Sequence, residues 1–178
     1  LKHGGNCAVI NINSIGFGAM AFLRKRSALV IHAHRNGWDI LTRHPGLGLD
    51  FKVWQQFWRL LGVDQFQING IRVKYWEPDE SFVASFKSVS TPMFSADDCS
   101  LPVAGSGQWG GQAHDTFEQT GRSIDLMYLC GGGIVSHPGG AGAGVRAVRC
   151  RTCIRCGCAA PWRTCARTRP PPSAFPPT

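Results

Sequence analysis

Leu101-Pro102-Val103-Ala104-Gly105-Ser106-Gly107 is the stretch on which the fold turns: an apolar run suited to a buried strand passes directly into a Gly-Ser-Gly turn. Leu126-Met127-Tyr128-Leu129-Cys130 does the same and opens on Gly131-Gly132-Gly133. Short apolar runs bounded by turn residues read as buried strands, and stretches of helical spacing between them read as crossover helices. Working back along the chain, Cys7 to Asn11 is a first run, followed by a helical stretch from Ala19 to Arg26 whose basic last turn suits the helix dipole. Leu29 to His32 is a second run. After it, Phe51 to Leu61 carries Phe51, Trp54, Phe57, Trp58 and Leu61 at helical spacing, as core residues. Gln65 to Ile68 is the third run, and Phe82, Val83 and Phe86 share a face in the segment Asp79 to Val89 that follows. Asp115 to Gln119 and a stretch around Gly144 to Val148 supply the helical segments after the fourth and fifth runs. Five strands alternating with helices predict an α/β fold with a parallel sheet. The spacing of roughly 30 residues per unit is the rhythm of a β/α barrel, whose eight units take about 250 residues. Five units fit either an open sheet or the last five units of a barrel.

Composition divides the chain. Of its 178 residues, 43% are hydrophobic and 17% charged, which excludes a polyelectrolyte and a membrane protein. The longest uncharged stretch, Gly4 to Leu23, is broken by Asn6, Asn11, Asn13, Ser14 and glycines, so neither a spanning helix nor a secretory leader is expected there. From Leu1 to Ala147, 5 Lys and 8 Arg face 11 acids, a net charge of +2. From Val148 to Thr178 there are 6 Arg and no acids. That last segment also holds 5 of the 8 Cys and 6 of the 11 Pro. Residues 1–147 are therefore expected to form the folded body and 148–178 an irregular basic tail that buries too little apolar surface to order itself.

In a parallel α/β fold, ligands sit where strands end. Those positions are polar here: His32-Ala33-His34-Arg35-Asn36-Gly37-Trp38, then Asn69-Gly70-Ile71-Arg72-Val73-Lys74, then the two glycine turns. Glycines after consecutive strands let backbone N–H groups approach a phosphate closely. A phosphate site is expected there.

These motifs, in this order and spacing, with His137-Pro138 beyond the glycines, resemble the carboxyl half of the RuBisCO large-subunit barrel, and their details are most similar to a RuBisCO-like protein. The resemblance covers approximately Cys7 to Ala147. It implies a partial TIM barrel in which the five strands are the fourth to eighth. It also implies roles: Arg35, Gly107, Gly131 and Gly132 in phosphate binding, Lys74 as the mobile-loop cation over the reacting group, and His34 as a strand-end histidine beside the substrate. Carboxylases of the family carry a second His at the position of Trp38, a His at that of Gln67 and a Ser at that of Gly105. Trp and Gln cannot act as general bases near neutral pH. The departures point away from ribulose bisphosphate carboxylation and toward a substrate with one phosphate, handled by enolisation, isomerisation or decarboxylation.

The resemblance further implies Mg2+ as cofactor, a phosphorylated small molecule as substrate, a homodimer and a cytoplasmic setting, with neither membrane nor nucleic acid as partner. The family's metal ligands, a Lys and a neighbouring acidic pair, lie on an earlier strand, and no Lys-x-Asp-Glu run occurs here. The chain is therefore expected to be a fragment, insoluble or molten and inactive alone, with no metal ligand of its own. Asp79-Glu80 and Asp97-Asp98 read as solvated charges. Two other classes of function are weighed: a non-catalytic remnant or interaction fragment, and a zinc or nucleic-acid binder built on Cys150, Cys153, Cys156, Cys158 and Cys165 with their interspersed arginines. The four crowded cysteines at 150–158 lack the paired spacing of a structural zinc site, and a frameshifted or disordered tail is the expected reading.

Overall fold

The computed structural model of the protein describes residues 4–152, apart from positions 43, 47 and 76. Five strands, β1 (Cys7–Asn11), β2 (Val30–His34), β3 (Gln65–Gln67), β4 (Leu101–Ala104) and β5 (Met127–Tyr128), form one sheet in sequence order. Every neighbouring pair is parallel. Parallel neighbours cannot be joined by hairpins, so each connection crosses over through helical segments. The α/β reading with a parallel sheet holds, and each expected strand lies within a few residues of its place.

The helices are α1 (Ile12–Arg26), α2 (Asp39–Thr42), α3 (Phe51–Leu60), α4 (Asp79–Ser90), α5 (Ala113–Gln119), α6 (Gly131–Val135) and α7 (Gly140–Thr152). Three of these correct the sequence reading. α1 begins at Ile12 rather than Ala19 because the Asn11 side chain accepts the Asn13 N–H at 3.2 Å, and it continues through a kink at Gly16, whose φ of 73° is open to glycine. The glycine run 131–133 opens a short helix instead of remaining a turn. α7 runs on to Thr152, past the break placed at Val148. Cys153, Cys156, Cys158 and Cys165, and with them the tail readings, lie outside the described residues.

The core lies between the sheet and α1, α3 and α4, built on Ile12, Met20, Ile31, Phe51, Trp58, Phe66, Phe82 and Phe86. Each such side chain contributes about 1.5–3 kcal/mol on burial. Trp54 and Trp58 stack edge-on at 5.7 Å, and Phe51 meets Phe66 the same way at 6.2 Å. Phe57, expected in the core, is 48% exposed. Ile31 is fully buried, whereas Val9 and Leu129 are exposed. Among the described residues β1 pairs only with β2 and β5 only with β4, so both outer edges of the sheet are open.

Asp98 is not a solvated charge. It accepts N–H groups of Met93, Phe94 and Ser95 and pairs with the buried Arg59 at 2.9 Å. Arg59 also donates to the carbonyls of Ser88, Thr91 and Asp98, tying α3 to the end of α4 and the turn before β4.

Candidate functional site

The carboxyl ends of β2, β3, β4 and β5 surround a cavity of about 440 Å³. His34 closes β2 and Arg35 follows it; Gln67 closes β3; Gly105 to Gly107 follow β4; Gly131 and Gly132 follow β5. Lys74 reaches the cavity from the link between β3 and α4. All six residues picked out in the sequence, His34, Arg35, Lys74, Gly107, Gly131 and Gly132, line this one space. They fall into two halves of different chemistry.

One half is backbone. Gly107 turns the chain after β4 at φ 89°, and the Lys74 side chain lies over it: a Cβ on Gly107 would come within 3.6–3.8 Å of Lys74 Cβ, Cγ and Cδ. The first N–H groups of a helix have no partner within it, and those of α6 belong to the glycine run. The three glycines separate on packing grounds. A Cβ on Gly133 would sit 2.4 Å from Trp109 Cβ, whereas one on Gly131 or Gly132 would meet nothing within 4 Å. Glycine at 133 is a packing requirement; at 131 and 132 a side chain would project into open space beside the cavity.

The other half is a buried ion pair. The Arg35 guanidinium is sandwiched between Trp38 and Phe51, with Cζ 3.8 Å and 3.6 Å from the ring centroids. Its Nη2 lies 3.3 Å from both carboxylate oxygens of Glu77, and both side chains of the pair are only 3% exposed. Glu77 also accepts from Asn69 Nδ2 and Ser81 Oγ. The Nε and Nη1 groups of Arg35 have no protein acceptor. Burial lowers the guanidinium to about 10, against the opposing pull of Glu77, so it remains cationic at neutral pH. Asn69, in the left-handed region at φ 66°, links the loops: its Oδ1 accepts from Ser106 Oγ at 2.8 Å and its carbonyl from Gly105 N–H at 2.7 Å. Sequence reading missed Glu77 entirely, since it stands 42 positions from Arg35. The Asn69-Gly70 dipeptide was the one local signal for the left-handed turn.

Positions that depart from the carboxylase pattern are explained by contacts. Trp38 covers one face of Arg35. A Cβ on Gly105 would stand 3.1 Å from Gln67 Nε2, so the absent side chain at 105 leaves room for the amide at 67. His34 Nδ1 accepts the Asn36 N–H at 3.2 Å, which leaves the ring proton on Nε2. Burial first, and His32 second, lower its pKa, so the ring is neutral near pH 7. Burial pushes the Cys130 thiol up to about 12, which removes it as a nucleophile.

Among the described residues no three His, Cys, Asp or Glu side chains converge as a metal site. Mg2+ asks for oxygen ligands in octahedral array, and the carboxylates near the cavity do not supply them: Glu77 stands behind the wall, committed to Arg35, and among the described residues Asp39 is the single acid that lines it. No described helix is long and apolar enough to cross a membrane.

Comparison with known proteins gives a consistent set. The family model for the ribulose bisphosphate carboxylase large chain, catalytic domain, matches residues 1–156. A 3-oxo-isoapionate-4-phosphate decarboxylase from Rhizobium etli is 82% identical over 146 residues, covering 82% of this chain and 35% of the relative. A 3-oxo-isoapionate-4-phosphate transcarboxylase/hydrolase from Xanthobacter autotrophicus is 43% identical over 141 residues, 79% of this chain and 34% of that protein. The crystal structure of a RuBisCO-like protein from Burkholderia fungorum superposes with a TM-score of 0.80 at 40% identity, covering 88% of this chain and 39% of that one. The chain spans about a third of the length of the curated relatives it matches.

Proposed function

The chain belongs to the RuBisCO large-chain family, and from that premise we propose that it carries the phosphate-binding part of an active site that decarboxylates a 3-oxo sugar-acid monophosphate. The observation that carries the reading is the meeting of Lys74 with Gly107, Gly131 and Gly132 on one cavity wall, where two of the glycines answer to no packing demand. Backbone N–H groups there would grip the phosphate, with the ammonium over the neighbouring reacting group. The names of two relatives support a 3-oxo acid 4-phosphate as the substrate class, and the more similar of the two supports decarboxylation among the three reactions weighed.

In that reaction the bond between the carboxylate carbon and the neighbouring carbon breaks, CO2 leaves, and the electron pair passes into the 3-oxo group as an enolate, which a proton then returns to the ketone. Lys74 would hold the developing negative charge, and the Nε2–H of neutral His34 would donate a hydrogen bond to a substrate oxygen. Arg35, its charge matched by Glu77, would stand at the end of the cavity remote from the phosphate. The sheet would form strands four to eight of a barrel, a placement supported by its unbroken sequence order and by the superposition. Homodimerisation belongs to the same proposal. Magnesium would draw its ligands from outside the described residues, and no step above passes through it.

The test is release of CO2 from 3-oxo-isoapionate 4-phosphate by the protein expressed from its own gene. Turnover with this substrate and none with ribulose bisphosphate is the expected result. Failure to bind the substrate at all overturns the reading.

A further inference from the structure

The two halves of the cavity carry unequal charge. The glycine half offers backbone N–H groups and the Lys74 side chain. In the other half the Arg35 cation is matched by Glu77, held in place by Asn69 and Ser81, and Asp39 adds a further carboxylate to the wall. Counted by formal charge, Arg35, Glu77 and Asp39 together present −1. A phosphate dianion placed there would meet net repulsion, because the one cation that could receive it is already matched by Glu77. Glu77 in turn could not be left buried and unpaired, because removing one partner of a buried pair strands the other charge. What remains at this end is the Gln67 amide, in the space that Gly105 leaves, since Nε and Nη1 of Arg35 are buried. A neutral amide matches an uncharged oxygen.

We infer that Glu77, acting through Arg35, makes this end of the cavity a subsite for a hydroxyl or carbonyl oxygen and excludes a second phosphate, so that the site selects monophosphate over bisphosphate esters. The inference rests on the phosphate reading of the glycine half and assigns a role to a residue that reading does not use. Glu77 is a positioning residue: it fixes the charge state that Arg35 shows the substrate. It also revises the expectation that Arg35 binds phosphate, since its charge is already matched by Glu77.

The test compares D-ribulose 5-phosphate with D-ribulose 1,5-bisphosphate, which differ by one phosphate, by calorimetric titration of the protein expressed from its own gene. The unaltered protein is expected to bind the monophosphate about tenfold or more tightly than the bisphosphate. Glu77→Gln, which keeps the shape and removes the charge, is expected to lower that ratio by about tenfold. Glu77→Asp is expected to keep a monophosphate preference. A purely structural role would weaken both ligands alike and leave the ratio unchanged, which overturns the inference. If Glu77→Gln does not fold, the unaltered protein decides: equal or tighter binding of the bisphosphate overturns the inference while leaving the phosphate site standing. Binding of neither ester overturns both.

Discussion

Lys74 and Gly132 separate binding from chemistry at the level of single side chains. If the ammonium acts on charge that develops during reaction, Lys74→Ala should lower kcat by about a hundredfold or more while KM moves only a few-fold, as steady-state kinetics would measure. Gly132→Ala makes the opposite trade. A methyl group there meets nothing within 4 Å, and alanine is the better helix former in α6 by roughly 0.5–1 kcal/mol. Thermal melting should rise slightly while affinity for a phosphate ester falls. Loss of stability together with loss of binding would return Gly132 to a structural role. Gly70 illustrates that role: a Cβ there would stand 2.4 Å from Gln108 Cδ, and Gln108 is buried with its Nε2 donating to Ile71 O at 2.9 Å. Gly70→Ala should destabilise by about 1–3 kcal/mol through overpacking, measured by denaturant unfolding.

Arg59 and Asp98 decide how the elements on the α3 side hold together. Three backbone hydrogen bonds, from Met93 foremost, and then Arg59 depress the Asp98 carboxyl to about 2. A depressed folded-state value means the stabilisation is present in full above the ordinary carboxylate value of 3.8 and is lost as pH falls toward 2. Acid unfolding followed by circular dichroism should show this loss between about pH 4 and 2, and Asp98→Asn should flatten it. Arg59→Ala leaves three carbonyls without their donor and should lower stability, as denaturant unfolding would measure. Element by element, strands were legible because short apolar runs end abruptly at Asn, Gly or His, and α3 and α4 because their aromatics repeat at helical spacing. The start of α1 was hidden by Asn13, Ser14 and Gly16, poor helix formers that a cap and a kink accommodate. α6 was hidden because three glycines carry no periodicity, and only packing against Trp109 shows what the third does. At the site, the sequence marked the residues standing at strand ends but not Glu77, because an ion pair across 42 positions leaves no local pattern.

For the molecule as a whole, the open edges of β1 and β5 matter for solubility. Val9 on β1 is 69% exposed and Leu129 beyond β5 is 41% exposed, and unpaired apolar edges promote association. The isolated 178-residue chain is expected to self-associate, and Val9→Lys to reduce that association in light scattering without moving the strands. Polarity across the cavity is the larger claim. A crystal structure of the protein with a bound sugar-acid monophosphate tests it most directly. The phosphate is expected on the N–H groups of Gly107, Gly131 and Gly132 beside Lys74, with the Arg35–Glu77 pair intact and an uncharged oxygen facing it. A phosphate seated on Arg35, with Glu77 displaced, would contradict the account.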